Sequence, residues 1–289
     1  MTITEKKKHF NQMLFRWHKA HYREMAWRNT RNPYRILVSE VMLQQTQVER
    51  VREKYAEFLK QFPSVHILAK AQLGDVIRAW SGLGYNRRAK YLHECAKEVL
   101  LNHQGKFPND MTTLMTLPGI GLSTAGALQA FAFGEDEPMI DTNIRRILTR
   151  TFFSPKMSRL RLDMVGVSDK ELYVFAKSLI PKGKGREWNY AMLDLGATLC
   201  TARHHSKLCP LAKLHGPVSD FVYKKPQKKF ANSDRFYRGR ILSQLLISPH
   251  TSESLQEVLA LEQGRLDLIL TKLAKEHLIV VSKKSVTLP

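Results

Sequence analysis

Two carboxylates are singled out by their neighbours. Glu40 lies within ILVSEVMLQQTQVERV, residues 36–51, among apolar residues, with Gln44, Gln45 and Gln47 on the adjacent surface. A partly buried carboxyl has its pKa raised and can act as a general acid. An exposed glutamate on an amphipathic helix is the alternative that composition leaves open. The run of glutamines is itself unusual for an ordinary solvated face, where Lys and Glu are expected. Asp141 lies within MIDTNIRRILTR, ahead of Arg145 and Arg146. Aspartate is a preferred helix N-cap, and capping alone accounts for it. A carboxylate at that point is also placed to stabilise a developing cation.

Between them runs LPGIGLSTAGALQAFAFG, residues 117–134. Pro118 stops one helix, and Gly119 and Gly121 permit a tight hairpin with positive φ. Ser123 or Thr124 then opens the next helix. Amides of Gly119, Ile120 and Gly121 would point out of the hairpin and could hold a phosphate.

The elements that must position these residues are mostly helices. Segments 36–61, 67–80, 86–102, 111–117, 123–133, 143–152, 169–179 and 188–200 show apolar residues at three- and four-residue spacing. The N-terminal stretch reads as a helix with Phe10, Leu14 and Trp17 on one face, not as a signal peptide. Leu37, Val41, Val48 and Val51 form a core-facing stripe. After Gly216 the composition changes. Residues 216–234 read as a basic linker, with Lys224, Lys225, Lys228 and Lys229. Residues 235–289 give helix, helix–turn–helix and a short alternating hairpin, the order of a winged helix. A small helical cap on the core is the simpler reading of the same pattern. The expected organisation is a catalytic region over 1–215, the linker, and a winged-helix-like domain over 235–289.

The chain has 289 residues, 43% of them hydrophobic, enough for a packed core. It holds 46 Lys and Arg against 26 Asp and Glu, a formal charge of +20. Such an excess points to a polyanionic partner. Arg87, Arg88 and Lys90, and then Lys182, Lys184 and Arg186, are expected to contact phosphates with little regard to sequence. No stretch approaches the roughly 20 apolar residues of a membrane span. Three cysteines, Cys95, Cys200 and Cys209, are too few for a secreted disulfide scaffold, so a cytosolic protein is expected.

SEVMLQQTQVERV, WSGLGYNRRAKYL, LPGIGLSTAGAL and IDTNIRRILTR, in this order and spacing, resemble the helix-hairpin-helix base-excision glycosylases. Within that superfamily they are most similar to the MutY-type adenine DNA glycosylases, from about Trp27 to Pro210. The resemblance implies a mainly α fold of two helical subdomains. It implies that Glu40 protonates adenine at N7. Asp141 stabilises the deoxyribosyl oxocarbenium ion or briefly bonds to C1′, and Asn143 orients the site. Gln45 and Tyr85 wedge into the duplex beside the flipped base. Acid on the leaving base with negative charge near the sugar is the two-carboxylate logic of glycoside hydrolysis. The endonuclease III relatives carry a lysine where this chain has Ser123, and a hydroxyl cannot form an imine. A monofunctional hydrolase that leaves an abasic site is therefore expected, acting as a monomer on duplex DNA with adenine opposite guanine or 8-oxoguanine. A thymine or uracil mismatch glycosylase on the same scaffold, and a non-catalytic lesion-binding protein, are the alternatives.

The sequence departs from these relatives in three places. Where they carry four cysteines around a [4Fe–4S] cluster, LGATLCTARHHSKLCPLAKLHG offers only Cys200 and Cys209. No cluster is expected. A zinc site on Cys200, Cys209, His215 and His204 or His205 lacks a standard spacing, and a loop held by packing is the simpler reading. The winged-helix-like tail stands where a Nudix-like domain is often found. Thr142 replaces a glycine beside the aspartate, and Asn86 replaces a second tyrosine after Tyr85.

Overall fold

The computed structural model of the chain describes residues 2–153, 167–201, 206–215, 230–282 and 284–289. Helices dominate it, as expected. Two units divide the backbone. One comprises Met1–Leu37, Pro108–Thr116 and Ile120–Lys225; the other comprises Val38–Phe107, Leu117–Gly119 and Pro226–Pro289.

The first unit is built on α1 (Ile3–His21), α7 (Met111–Leu114), α8 (Leu122–Leu128), α9 (Thr142–Phe152), α10 (Asp169–Lys177) and α11 (Gly185–Thr198). Thr2 and Glu5 close a capping box at the start of α1, and Ser168 and Glu171 close another on α10. Phe10, Leu14, Leu128, Ile147, Trp188 and Met192 are fully buried in its core. On α1 the buried face runs Phe10, Leu14, His18 rather than through Trp17, which is half-buried and stacks on His21 at 4.9 Å. The reason is Asp194 on α11, which is fully buried. It draws His18 Nε2 to 3.2 Å and accepts both arms of Arg28 at 2.8 and 2.7 Å. Burial acts to raise the pKa of this carboxyl, but the bonds from His18 and Arg28 and the Arg28 charge hold it below the usual range.

The second unit takes the last turns of α2 (Pro33–Leu43), then α3 (Val48–Gln61), α4 (Val65–Lys70), α5 (Leu73–Ala79) and α6 (Arg87–Asn102). After residue 230 it adds α12 (Asp234–Leu245), α13 (Ser252–Leu259), α14 (Gln263–Lys275) and the antiparallel pair β1 (Val280–Val281) and β2 (Val286–Thr287). His250 bridges to Val286. Phe58 meets Trp80 edge-on at 5.8 Å in one core cluster. Ile77 of α5 joins a second cluster with Ile241, Leu255, Leu266, Ile269 and Leu273, so α12, α13 and α14 share a core with α5.

The helical spacing over 36–61 does not give one helix. The chain breaks at Gln44–Gln47, where Gln45 is left-handed at φ 57°, and Gln47 caps α3. The 67–80 segment breaks likewise, at extended Ala71 and Gln72. Apolar spacing records which face is buried and does not record a break that keeps that face in register. No helix among the described residues is long and apolar enough to cross a membrane.

Candidate active site and nucleic-acid interface

In the first unit, Asp141 is the N-cap of α9. Its Oδ1 accepts the Ile144 amide at 2.7 Å, and its Oδ2 accepts Asn143 Nδ2 at 2.8 Å. The carboxyl is half-buried. Withdrawal from water pushes its pKa above the usual aspartate range. The Ile144 amide, the Asn143 groups and the Arg146 charge pull the other way and offset this only in part. Capping thus uses Oδ1, while Oδ2 is held by Asn143.

Asn143 is itself held. Its Oδ1 accepts Arg146 Nη2 at 2.6 Å, while Arg146 also donates to the Gly196 carbonyl at 2.9 Å and the Cys200 carbonyl at 2.7 Å. A Cβ on Gly196 would stand 2.5 Å from Asn143 Cβ, so only glycine lets α11 come this close. Fully buried Asn189 accepts the Met139 amide at 2.9 Å and donates to the Glu137 carbonyl at 2.8 Å, pinning the segment that leads into Asp141. Sequence reading missed Arg146, Asn189 and Gly196. Arg145 and Arg146 look alike in the chain, but Arg145 pairs with Asp169 and the Val167 carbonyl.

Cys200 and Cys209 are buried and free. Arg150 Nη1 donates to Cys200 Sγ at 3.2 Å and to the Thr201 carbonyl at 3.0 Å. Burial raises the Cys209 thiol to about 11, far from a thiolate. A four-thiolate cluster does not fit this donor set, since the only other cysteine, Cys95, belongs to the second unit. For the zinc expectation, no group of three or more metal-binding side chains occurs among the described residues, and His204 and His205 lie outside them.

The hairpin corrects two details. Gly119 has φ 77° and lies against Tyr91, where a Cβ would come within 2.8 Å. Gly121, however, has φ −101° and is extended, not left-handed. Gly121 is also the N-cap of α8 and makes no side-chain cap bond, so neither Ser123 nor Thr124 opens the helix. The first-turn amides, Ser123 included, thus have no intrahelical partner.

In the second unit, Glu40 is half-buried on α2, between buried Ser39 and Val41. The α2 terminus is clasped by Arg88. This guanidinium donates to the carbonyls of Val41, Met42 and Gln44 at 2.6–2.9 Å, to Thr46 Oγ1 at 3.1 Å, and to the carbonyls of Leu83 and Gly84 at 3.1 and 3.0 Å. Arg88 was expected among the phosphate contacts. It is only 8% exposed and its forks are engaged by protein, so it positions loops instead. Burial lowers its pKa to about 10, which leaves it charged at neutral pH. The two loops it joins carry Gln45 at φ 57° and Tyr85 at φ 48°, both strained for non-glycine residues and both exposed. Arg87 is half exposed and donates to Tyr91 Oη at 2.7 Å. Gln45, Tyr85, Arg87, Arg88 and Gly119 line one cleft of about 1220 Å³.

Residues 38–162 match the model of the HhH-GPD superfamily base excision DNA repair proteins. The chain is 38% identical over 240 residues to an adenine DNA glycosylase of Mycobacterium tuberculosis, covering 80% of this chain and 77% of that one. It is 34% identical over 273 residues to an adenine DNA glycosylase of Mycolicibacterium smegmatis, covering 92% and 91%. The chain belongs to the adenine DNA glycosylase family. A solved thermostable thymine-DNA glycosylase superposes with a TM-score of 0.66 at 28% identity, covering 73% of this chain and 96% of that one. Family and fold together make the protein a base-excision DNA N-glycosylase of the helix-hairpin-helix superfamily. The Asp141 network orders candidate residues within the first unit, and the Arg88 clasp orders candidate residues within the second.

Proposed function

We propose that the protein hydrolyses the N-glycosidic bond of an adenine flipped out of duplex DNA opposite guanine or 8-oxoguanine. It then releases adenine and leaves an abasic site. Glu40 gives a proton to N7 as the bond between C1′ and N9 breaks. The Asp141 carboxylate stabilises the cation at C1′ until water adds there. Asn143 holds Asp141 with one oxygen aimed, and Arg146 holds Asn143. Gln45 and Tyr85 fill the space the flipped base leaves, and Arg88 holds both loops at the required angle. Amides of Gly119, Ile120 and Gly121 take a phosphate at the hairpin. With Ser123 in place of a lysine, no imine forms and the strand stays intact.

The observation that carries this reading is the ordered carboxylate of Asp141, capped by Ile144 and braced through Asn143 and Arg146. Capping accounts for the Ile144 bond, but it does not require the second brace through Asn143 and Arg146, and a DNA-binding module needs only the hairpin, the basic faces and the wedge. The order of helices and hairpin over 235–289 supports a winged-helix-like domain there, and the whole acts as a monomer in the cytosol or at the nucleoid. Single-turnover assays on duplexes with adenine opposite 8-oxoguanine, guanine or cytosine test the reading. The likeness to a thymine-DNA glycosylase places G·T and G·U duplexes in the same panel.

A further inference from the structure

Cys200 and Cys209 take no part in the chemistry above, yet the first unit gathers both thiols at one buried place. The chain folds back between them. Ser206 donates its amide to the Leu199 carbonyl at 3.1 Å, and Cys209 donates to the Ser206 carbonyl at 3.0 Å. The turn that carries Cys209 therefore closes over the end of α11. Cys200 is fully buried, and Cys209 is buried beside Leu208, which is 82% exposed. A small opening of that turn uncovers the pair.

Two buried cations, Arg146 and Arg150, stand one turn apart on α9 beside the thiols. Arg146 donates to the Asn143 side chain and to the carbonyls of Gly196 and Cys200. Arg150 donates to Cys200 Sγ and the Thr201 carbonyl, and its Nε is buried without a hydrogen-bond partner among the described residues. All these acceptors are neutral. A guanidinium against a sulfur stabilises the negative charge that the sulfur carries when it attacks. The charge of Arg150 and the Cys200 sulfur both act on the Cys209 thiol. Cys95 in the second unit has no such setting, and burial pushes its thiol up to about 12.

We propose that Cys200 and Cys209 are a peroxide-oxidised dithiol whose closure to a disulfide loosens the brace on Asp141. The Cys200 thiolate attacks one oxygen of a hydroperoxide. The O–O bond breaks, and the departing oxygen takes the proton that Cys200 gave up. The Cys209 sulfur then attacks the Cys200 sulfenic acid, the S–O bond breaks, and water leaves with the Cys209 proton. Two thiols have given two electrons to one peroxide. A disulfide needs Cβ atoms about 3.8 Å apart, so the Cys200 sulfur must turn from Arg150 toward Cys209. The Cys200 carbonyl, which anchors Arg146 Nε at 2.7 Å, moves with it. Arg146 holds Asn143 and Asn143 holds Asp141, so the displacement reaches the carboxylate. This consequence rests on reading Asp141 as catalytic; the dithiol itself does not.

The test treats the full chain with hydrogen peroxide, removes it, and digests with trypsin without reductant. Cleavage after Lys207 parts the two cysteines. The expected result is a linked Cys200–Cys209 peptide pair, with free thiols reduced from three to one and restored by dithiothreitol. Single-turnover base release by the oxidised protein should fall about tenfold, the low end for a lost hydrogen bond to a charged group. Affinity for a duplex carrying a stable abasic analogue should be unchanged, and dithiothreitol should restore the rate. Methionine sulfoxide survives dithiothreitol, so reversal separates the two lesions. Cys209→Ala should lose the response to peroxide, and Cys95→Ala should keep it. Reduced wild type is its own control, so the measurement stands even where a variant fails to fold. Three persistent free thiols, or sulfinic acid at either cysteine with no linked peptides, would overturn the dithiol. A linked pair with an undiminished rate would overturn its connection to Asp141. Closure of the disulfide in a protein whose reduced form releases no base would overturn the catalytic reading and leave the dithiol standing.

Discussion

Asn143 donates from Nδ2 to Asp141 Oδ2 at 2.8 Å while its own Oδ1 is gripped by Arg146 at 2.6 Å. Asp141 is therefore oriented from two residues along its own helix, and that residue is anchored to α11 through the carbonyls of Gly196 and Cys200. Positioning a carboxylate to within a fraction of an ångström is worth orders of magnitude in rate.

Removing the brace should slow base release and move its pH dependence. Asn143→Ala deletes a bond that favours the ionised carboxylate, worth roughly 1.5–3 kcal/mol for a charged acceptor. A 10- to 100-fold loss in single-turnover rate is expected, by the same estimate. Asp141 is already pushed above the usual range, and losing Asn143 pushes it further. Activity needs the ionised form and falls as pH drops through that pKa, so the acid limb should move to higher pH. Arg146→Met should shift the limb in the same direction, and Arg146→Lys should restore part of the rate.

Asp141→Asn should abolish base release and stabilise the free protein. The folded-state pKa is raised, so ionised Asp141 opposes folding. Stability linked to this group is fully present below the unfolded pKa and is lost as pH rises through the folded value. Asparagine keeps the N-cap and removes the charge. Thermal melts should therefore show the variant above wild type at neutral pH, with the gap closing below about pH 3.9.

Gly196→Ala should invert the usual sign of a helix substitution. Alanine normally strengthens a helix by about 1 kcal/mol over glycine. Here its Cβ would press on Asn143 at 2.5 Å. A loss of roughly 1–3 kcal/mol by chemical denaturation, with slower base release, is expected.

Arg88→Met should unfasten both wedge loops. It leaves five carbonyls, those of Val41, Met42, Gln44, Leu83 and Gly84, without their shared donor. A destabilisation of roughly 2–4 kcal/mol is expected. DNA affinity should fall even though Arg88 itself meets no phosphate, and hydrogen exchange at residues 44–47 and 83–86 should rise.

Much of this was legible in the chain. The helices followed from apolar spacing, while Asn143, Gln45 and Tyr85 were singled out as candidates only through the resemblance to the glycosylase family. Arg88 was not legible in its role, because an arginine in an NRR run looks solvated and nothing local says which distant carbonyls lack donors. Arg146 was hidden beside Arg145 for the same reason. Gly121 looked like a second left-handed glycine, yet one positive φ at Gly119 suffices to turn the hairpin. Gly196 is an ordinary letter in a helical run, and only the space around it shows the close packing.

The most direct test is single-turnover base release by wild type, Glu40→Gln and Asp141→Asn on duplexes with adenine opposite 8-oxoguanine, read with and without alkali and with borohydride. The expected result is adenine release by wild type only, strand breaks that require alkali, no borohydride-trapped complex, and DNA binding kept by both variants. Undiminished release by either variant, or strand breaks and trapping without alkali, would contradict the two-carboxylate hydrolytic account.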